Sequence, residues 1–432
     1  MEEHQSAAQD ALLTQMVIKP STWIFRRVEA LSYLANGETQ RRVSIDFQLP
    51  EGYAAAHVDQ PSVLVPVGII RKQPLTRFDM RSADGQALPV LETAANGRVA
   101  ERILEHAVSA AFDLPATADE RLRSLISAVV YAPSDGAERA LSALRSFLLS
   151  DLTVQQEVAH RADPEPAQQY ALQLAADLSQ CFLLVVDCPR DLVQGRAILK
   201  YEYEDAIDLA PWRFRVSRPL QVRIDRPSVG DAGSYHLEIR APEGVAARSL
   251  QIKDADASSD LVFLGRGPTV HGLVRGTRGD FEAAVRLVPE RRGSVTWAFG
   301  VGLAVALGFV AMTFAWDPLH SWLATEPSKG SALATVLLAF PAFLLVLLAR
   351  TPEHFVASRV LRPARWVLLL TSLLMIVAAA VLIVVPTLEL GRGAMVVLAL
   401  LQSGIAIAAV LIRRQSDPGP MLTSKADAGG AQ

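Results

Sequence analysis

Four apolar runs fill the last third of this chain: Val295–Trp316, Ser331–Ala349, Trp366–Pro386 and Gly393–Ile412. None of them contains Asp, Glu, Lys, Arg or His. A helix needs roughly 20 apolar residues to cross the hydrocarbon core of a bilayer. A soluble helix of that length carries a polar stripe at helical period, and these runs carry none. They predict four membrane-spanning helices. Pro341, at the centre of the second run, predicts a kink. The few residues between the third and fourth runs predict a tight hairpin.

Basic residues set the orientation. Arg291 and Arg292 precede the first run, Arg350, Arg359, Arg362 and Arg365 lie between the second and third, and Arg413 and Arg414 follow the fourth. The other two connections hold only Lys329 and Arg392, beside Asp317, Glu326 and Glu389. Basic loops stay cytoplasmic. Both termini are therefore expected in the cytoplasm of an inner (plasma) membrane. Trp297, Trp316, Trp322 and Trp366 fall at or near run ends, where indoles favour the headgroup zone.

Proton relays and voltage sensors keep ionisable groups within their spans, and none occurs here. Gln402 is the clearest polar side chain inside a run, and it suits a hydrogen bond to a neighbouring helix. Gly300, Ala304 and Gly308 recur every four residues and make a smooth face for close helix packing. Packing within the chain is the first expectation for that face, and self-association of two copies the second.

The chain has 432 residues and a net charge of −3. Roughly 290 residues precede the first span, enough for one large or two ordinary soluble domains. A near-neutral balance offers no global field for nucleic acid. The N-terminal residues 1–20 read as a polar tail that starts as a short helix, with no apolar leader behind a basic start. Cys181 and Cys188 are the only cysteines. They flank an apolar strand, lack metal-ligand spacing and suit a reducing compartment.

From Ser21 the pattern becomes β. Thr22–Tyr33 and Arg41–Leu49 flank Ala35-Asn36-Gly37-Glu38, and Asn-Gly is a strong hairpin signal. Ser62–Ile70 reads as a buried strand, with Pro66 demanding an edge or a bulge. Thr76–Met80 and Gln86–Leu91 flank Asp84-Gly85, a second hairpin signal. Helical spacing then runs through Val99–Phe112, Ala118–Tyr131, Gly136–Ala159 and Ala167–Leu178. From Cys181 the strands return: Cys181–Asp187, Arg196–Tyr203, Trp212–Val216, Leu220–Ile224, Tyr235–Arg240, Ala247–Ile252, Leu261–Leu264, Val270–Val274 and Phe281–Val288. Short strands punctuated by Gly and Pro suggest an antiparallel sandwich. Segregated blocks give an α+β class. The expected organisation is a tail (1–20), an α+β region (21–180), a membrane-proximal β-sandwich (181–290), a four-helix transmembrane bundle and a disordered tail (415–432).

No catalytic, cofactor or metal motif stands out. Gly265-Arg266-Gly267-Pro268 lacks the helix and Gly-Lys ending of a phosphate loop and reads as a turn. His236 sits on a strand with apolar neighbours and reads as a polar-face residue. Tyr201-Glu202-Tyr203-Glu204-Asp205 with Asp208 is an acidic cluster that suits a solvated edge better than a divalent ion. Arg213 and Arg215 share one strand face, and Arg286, Arg291 and Arg292 lie beside the first span. These five form a candidate surface for lipid headgroups or a protein partner, at roughly 1 kcal/mol each for anionic lipid.

The stretch Ser234-Tyr235-His236-Leu237-Glu238-Ile239-Arg240-Ala241-Pro242-Glu243-Gly244, followed by a β segment, Arg291-Arg292-Gly293 and membrane helices, resembles a group of uncharacterised membrane-anchored proteins of high-GC bacteria. That resemblance implies a bacterial inner-membrane location and no activity. The sequence is thus expected to encode a binding, sensing or scaffold module without a cofactor. A membrane effector that permeabilises the bilayer, and an enzyme with a membrane-surface site, are the alternatives.

Overall fold

The computed structural model describes residues 2–57, 60–112, 120–151, 166–206, 220–224, 232–254, 261–275, 281–290, 293–325, 327–349, 354–384 and 388–415. The predicted strand Trp212–Val216, with Arg213 and Arg215, lies outside them, as do Asp208, Arg291, Arg292 and residues 416–432.

Strands β1 (Ile24–Tyr33) and β2 (Glu38–Gln48) form the hairpin announced by Asn36-Gly37. Gly37 has φ +91°, a conformation that glycine adopts without steric cost. The hairpin is the middle of a six-stranded sheet. β3 (Ser62–Arg71) stands apart, paired antiparallel with β5 (Cys181–Pro189), and its ladder shifts register between Pro66 and Gly68, so the proline sits at a bulge. The large sheet adds β4 (Thr76–Ser82), β6 (Arg196–Ala206), β8 (Ser234–Arg240) and β11 (Thr269–Arg275), in the order β11-β8-β1-β2-β6-β4. β1 and β8 run parallel, which departs from the expected all-antiparallel arrangement. Strands from both sides of residue 180 share this one sheet, so the expected boundary there does not separate two β units. A third sheet contains β7 (Leu220–Ile224), β9 (Val245–Asp254), β10 (Leu261–Gly267) and β12 (Phe281–Pro289), antiparallel in the order β10-β9-β12-β7. Gln86–Leu91 folds back on β4 around Asp84-Gly85 through one antiparallel bridge, Arg81 to Ala87, flanked by Ser82 N to Gln86 O at 2.9 Å and Leu88 N to Met80 O at 3.0 Å, and Val90 then bridges to Val186.

One face of the six-stranded sheet is buried and carries two separate cores. Val43, Ile45, Phe47 and Leu199 pack with β3, β5 and the helical layer. That layer comprises α3 (Thr93–Ala111), α4 (Glu120–Tyr131), α5 (Ser134–Ser146) and α6 (Pro166–Gln180), whose apolar residues recur at helical spacing. Lys72 Nζ donates to the carbonyls of Val129 (2.9 Å) and Ala132 (3.1 Å), closing the open end of α4. The second core joins Leu31, Leu237 and Ile239 to Leu250, Ile252, Val285 and Leu287 of the four-stranded sheet.

The N-terminal segment is not a tail. It is α1 (Glu2–Ile18), which buries Leu13 and Met16 in the first core, and Met16 O accepts from Trp23 Nε1 at 2.9 Å. Its apolar residues occupy only the last two turns, too short a stretch to stand out beside a polar start. α2 (Glu51–Ala56) is a single short helix that buries Tyr53.

The C-terminal helices are α7 (Ser294–Phe314), α8 (Trp316–Thr325), α9 (Pro327–Ala349), α10 (Phe355–Val384) and α11 (Leu388–Gln415). Three are long and apolar enough to cross a membrane: Val295–Phe314, Phe355–Ile383 and Glu389–Arg414. Among the described residues α9 offers a shorter apolar stretch, Thr335–Leu344, and contains Pro341. Val295 and Ala298 of α7 pack with Ala364 and Val367 of α10 and with Ala409 of α11. Gly300, Ala304 and Gly308 face away from these contacts. All three are exposed, and a Cβ at Gly300 or Gly308 would meet nothing within 4 Å. The expected packing stripe is thus turned outward, because the contact phase of α7 runs through Ala298 and Gly302 instead.

Gln402 is fully buried between three helices. Its Nε2 donates to Gly302 O at 3.0 Å and to Thr371 Oγ1 at 3.1 Å. Replacing Gln402 with leucine should destabilise the helix assembly by about 0.6–2 kcal/mol. Thermal unfolding of the full chain in detergent, followed by circular dichroism, measures this, and an unchanged melt would assign those bonds no net stabilisation.

Candidate functional site

The two cores are divided by a diagonal of charge. On β1, Arg27 and Glu29 share the buried phase with Leu31 and Tyr33, and register places Leu31 opposite Arg41 of β2. Arg27, Glu29 and Arg41 are 3%, 1% and 9% exposed. Burying such groups costs several kcal/mol per ion unless each is paired and hydrogen-bonded. Glu29 accepts from Arg41 Nη1 at 3.0 Å and from Tyr235 Oη at 2.5 Å. Asp205 lies 3.9 Å from the other end of the Arg41 guanidinium. Arg27 Nη2 donates to Tyr201 Oη at 2.7 Å, and its Nη1 donates to Val67 O at 3.3 Å. Gly68 permits that approach, since a Cβ there would lie 3.3 Å from both Arg27 Nη1 and Tyr201 Oη.

Electrostatics hold these groups together as a clasp. Burial pushes the Tyr235 phenol well above its ordinary range, and Glu29 pushes it further. Burial likewise raises the Tyr203 phenol. Burial opposes the charge of Arg41, but Glu29 foremost, then Tyr203, Tyr235 and Asp205, holds the guanidinium charged.

β1 leads from the clasp to the apolar helices. Beyond Leu31 and Tyr33 its turn meets the start of α10. Phe355 N donates to Ala35 O at 3.3 Å, and His354 Nε2 donates to Tyr33 O at 3.0 Å, which requires the proton on Nε2. A Cβ on Gly37 would come within 3.1 Å of the Phe355 ring, so only glycine fits beneath it. Val356, Ala357, Val360 and Leu361 then enter the second core. The first two turns of α10 are therefore part of the soluble core, and the remainder packs among the apolar helices. Arg359 lies over the Phe355 ring, 4.7 Å from its centre.

The residues singled out from the sequence are scattered. Arg286 is exposed on β12 between Gln221 and Ser249. The acidic cluster is engaged: Glu202 with Arg42 at 3.0 Å, Glu204 with Arg77 at 2.8 Å, and Asp205 accepting from Gln73 at 2.6 Å. Among the described residues no three His, Cys, Asp or Glu side chains converge as metal ligands. Cys181 and Cys188 are buried and not disulfide-bonded, and burial pushes the Cys188 thiol up to about 12. The clasp was missed, although Arg27 and Glu29 stand in phase with Leu31 and Tyr33, which is a readable signal.

No family model matches this chain. No curated protein matches it either. Among solved structures, the crystal structure of an M1 zinc metallopeptidase from Deinococcus radiodurans aligns at 9% identity over 92% of this chain and 94% of that chain, with a TM-score of 0.24. A score that low defines no common fold.

Proposed function

We infer that the chain is a multi-pass bacterial inner-membrane protein whose soluble region is cytoplasmic and acts as a binding or sensing module, coupled through α10 to a four-helix bundle. The observation that carries this reading is the seating of Val356, Ala357, Val360 and Leu361 in the soluble core at the head of a membrane-length helix. An inert anchor needs no such joint. The start of α7, the third turn of α10 and the end of α11 lie together, since Val295, Ala364 and Ile412 share one cluster. That arrangement supports one cytoplasmic side for the soluble region and both termini, in line with the flanking arginines. The core shared by the four-stranded sheet and β1, β8 and β11 supports a membrane-proximal sandwich.

Affinity purification of the full chain from its own membranes tests the reading. A specific partner or ligand should be retained by the wild type and lost or altered in Val356→Asp, where the joint is broken. Recovery of nothing specific, or of the same set by both proteins, counts against it. The joint also serves the effector reading. Growth arrest on overexpression of the wild type, absent for Val356→Asp, would favour that alternative.

A further inference from the structure

The exposed face of the six-stranded sheet carries a cationic corner. Arg26 of β1 and Arg275 of β11 both register with Ser234 of β8, one on each side. Paired residues point to the same face, and two interstrand spacings put the two arginine Cα atoms about 10 Å apart. His236 follows one pleat along β8, diagonal to both arginines. Arg26 and Arg275 are exposed, and His236 is half-buried. Among the described residues, Asp46 on β2 is the carboxylate that registers with Arg26. Its two oxygens are taken by Arg196, at 2.7 and 2.6 Å.

Arg196 holds the Asp46 carboxyl below its ordinary range, with Arg26 adding the smallest share. His236 is held below its ordinary value by partial burial, then by Arg26 and Arg275. Both guanidinium charges therefore bear on one ring. Glu238, one pleat further along β8, faces His271 at 4.0 Å. Two forked donors and an imidazole around a serine match the shape and charge of a phosphate group.

We propose that Arg26, His236 and Arg275 bind the phosphate group of a soluble ligand. Position decides against lipid. The membrane helices join this sheet at its other end, where Tyr33 meets His354. From the Arg26 row to Tyr33 the strand runs seven residues, about 23 Å. The site goes beyond the coupling reading and stands whether or not α10 relays anything.

The test uses the full chain in neutral phosphatidylcholine nanodiscs, ring-labelled at histidine for NMR and titrated with inorganic pyrophosphate at constant ionic strength. Saturable movement of the His236 signal is expected, with a Kd on the order of millimolar. Bound phosphate should also raise the His236 titration midpoint, because it offsets both arginine charges. The double variant Arg26→Gln/Arg275→Gln should bind about tenfold more weakly or worse. Arg240→Gln, on the same face at the membrane end, should bind as the wild type does. Thermal melts confirm that these surface variants fold. No saturable shift by about 20 mM pyrophosphate would overturn the proposal. So would equal weakening by Arg240→Gln, or an equal His236 shift when anionic lipid replaces the neutral lipid without pyrophosphate.

Discussion

Replacing Arg41 with methionine is expected to destabilise the soluble half by about 3–5 kcal/mol. The variant keeps the stem volume of the side chain and removes its charge. Glu29 stays 1% exposed and loses its 3.0 Å partner, keeping the hydrogen bond from the Tyr235 hydroxyl. An uncompensated buried carboxylate is one of the few single changes that reach this size. The argument has a second arm. Adding Glu29→Leu and Tyr235→Phe removes the orphaned carboxylate and the phenol that would then lack its acceptor. That triple variant should recover most of the loss, because apolar replacement of a whole buried ionic group is commonly neutral. Urea unfolding of the full chain in detergent, followed by near-ultraviolet circular dichroism, gives both numbers. A single variant as stable as the wild type would mean that water reaches the clasp.

Val356→Asp is expected to unseat the head of α10. Val356 is fully buried in the second core among apolar side chains, where an aspartate would lose its water. The cost should reach about 3 kcal/mol or more. Its signature is local. Amides of the Leu34–Glu38 turn, held partly by Phe355 and His354, should exchange with solvent roughly 100-fold faster. Ser358→Asp is the control, since Ser358 is only half-buried in the first turn of α10, where a negative charge suits the helix dipole. Its turn amides should exchange at the wild-type rate. Equal rates in the two variants would refute the joint.

Local pattern made much of this legible. Alternation found β2 and β6, Asn36-Gly37 found the hairpin, and charge-free length found the apolar helices. What escaped was the coupling of distant segments. Nothing in Ile24–Tyr33 announces that its outer partner will be Ser234–Arg240, parallel and some two hundred residues on. The burial of Arg27 and Glu29 is not revealed by their polarity, and only their phase with Leu31 signals it. The head of α10 was hidden by Arg359, Arg362 and Arg365. They marked a loop by charge, while Val356, Val360, Leu361 and Ala364 kept a helical stripe among them. The cationic corner needed three strands brought side by side.

The seating of α10 also imposes an order of assembly. The second core draws on Leu31 near the start of the chain and on Leu361, far beyond the first apolar helices. During synthesis its strands are complete by Pro289, yet the plug that closes them emerges only after α7, α8 and α9. The second core must wait, partly open, while those helices emerge. A chain ended at Gly293 would retain every strand and still expose the apolar floor that Val356 and Val360 cover. Closure of the second core is thereby made conditional on synthesis of the apolar helices, and a chain that lacks them presents an unfinished core to cellular quality control.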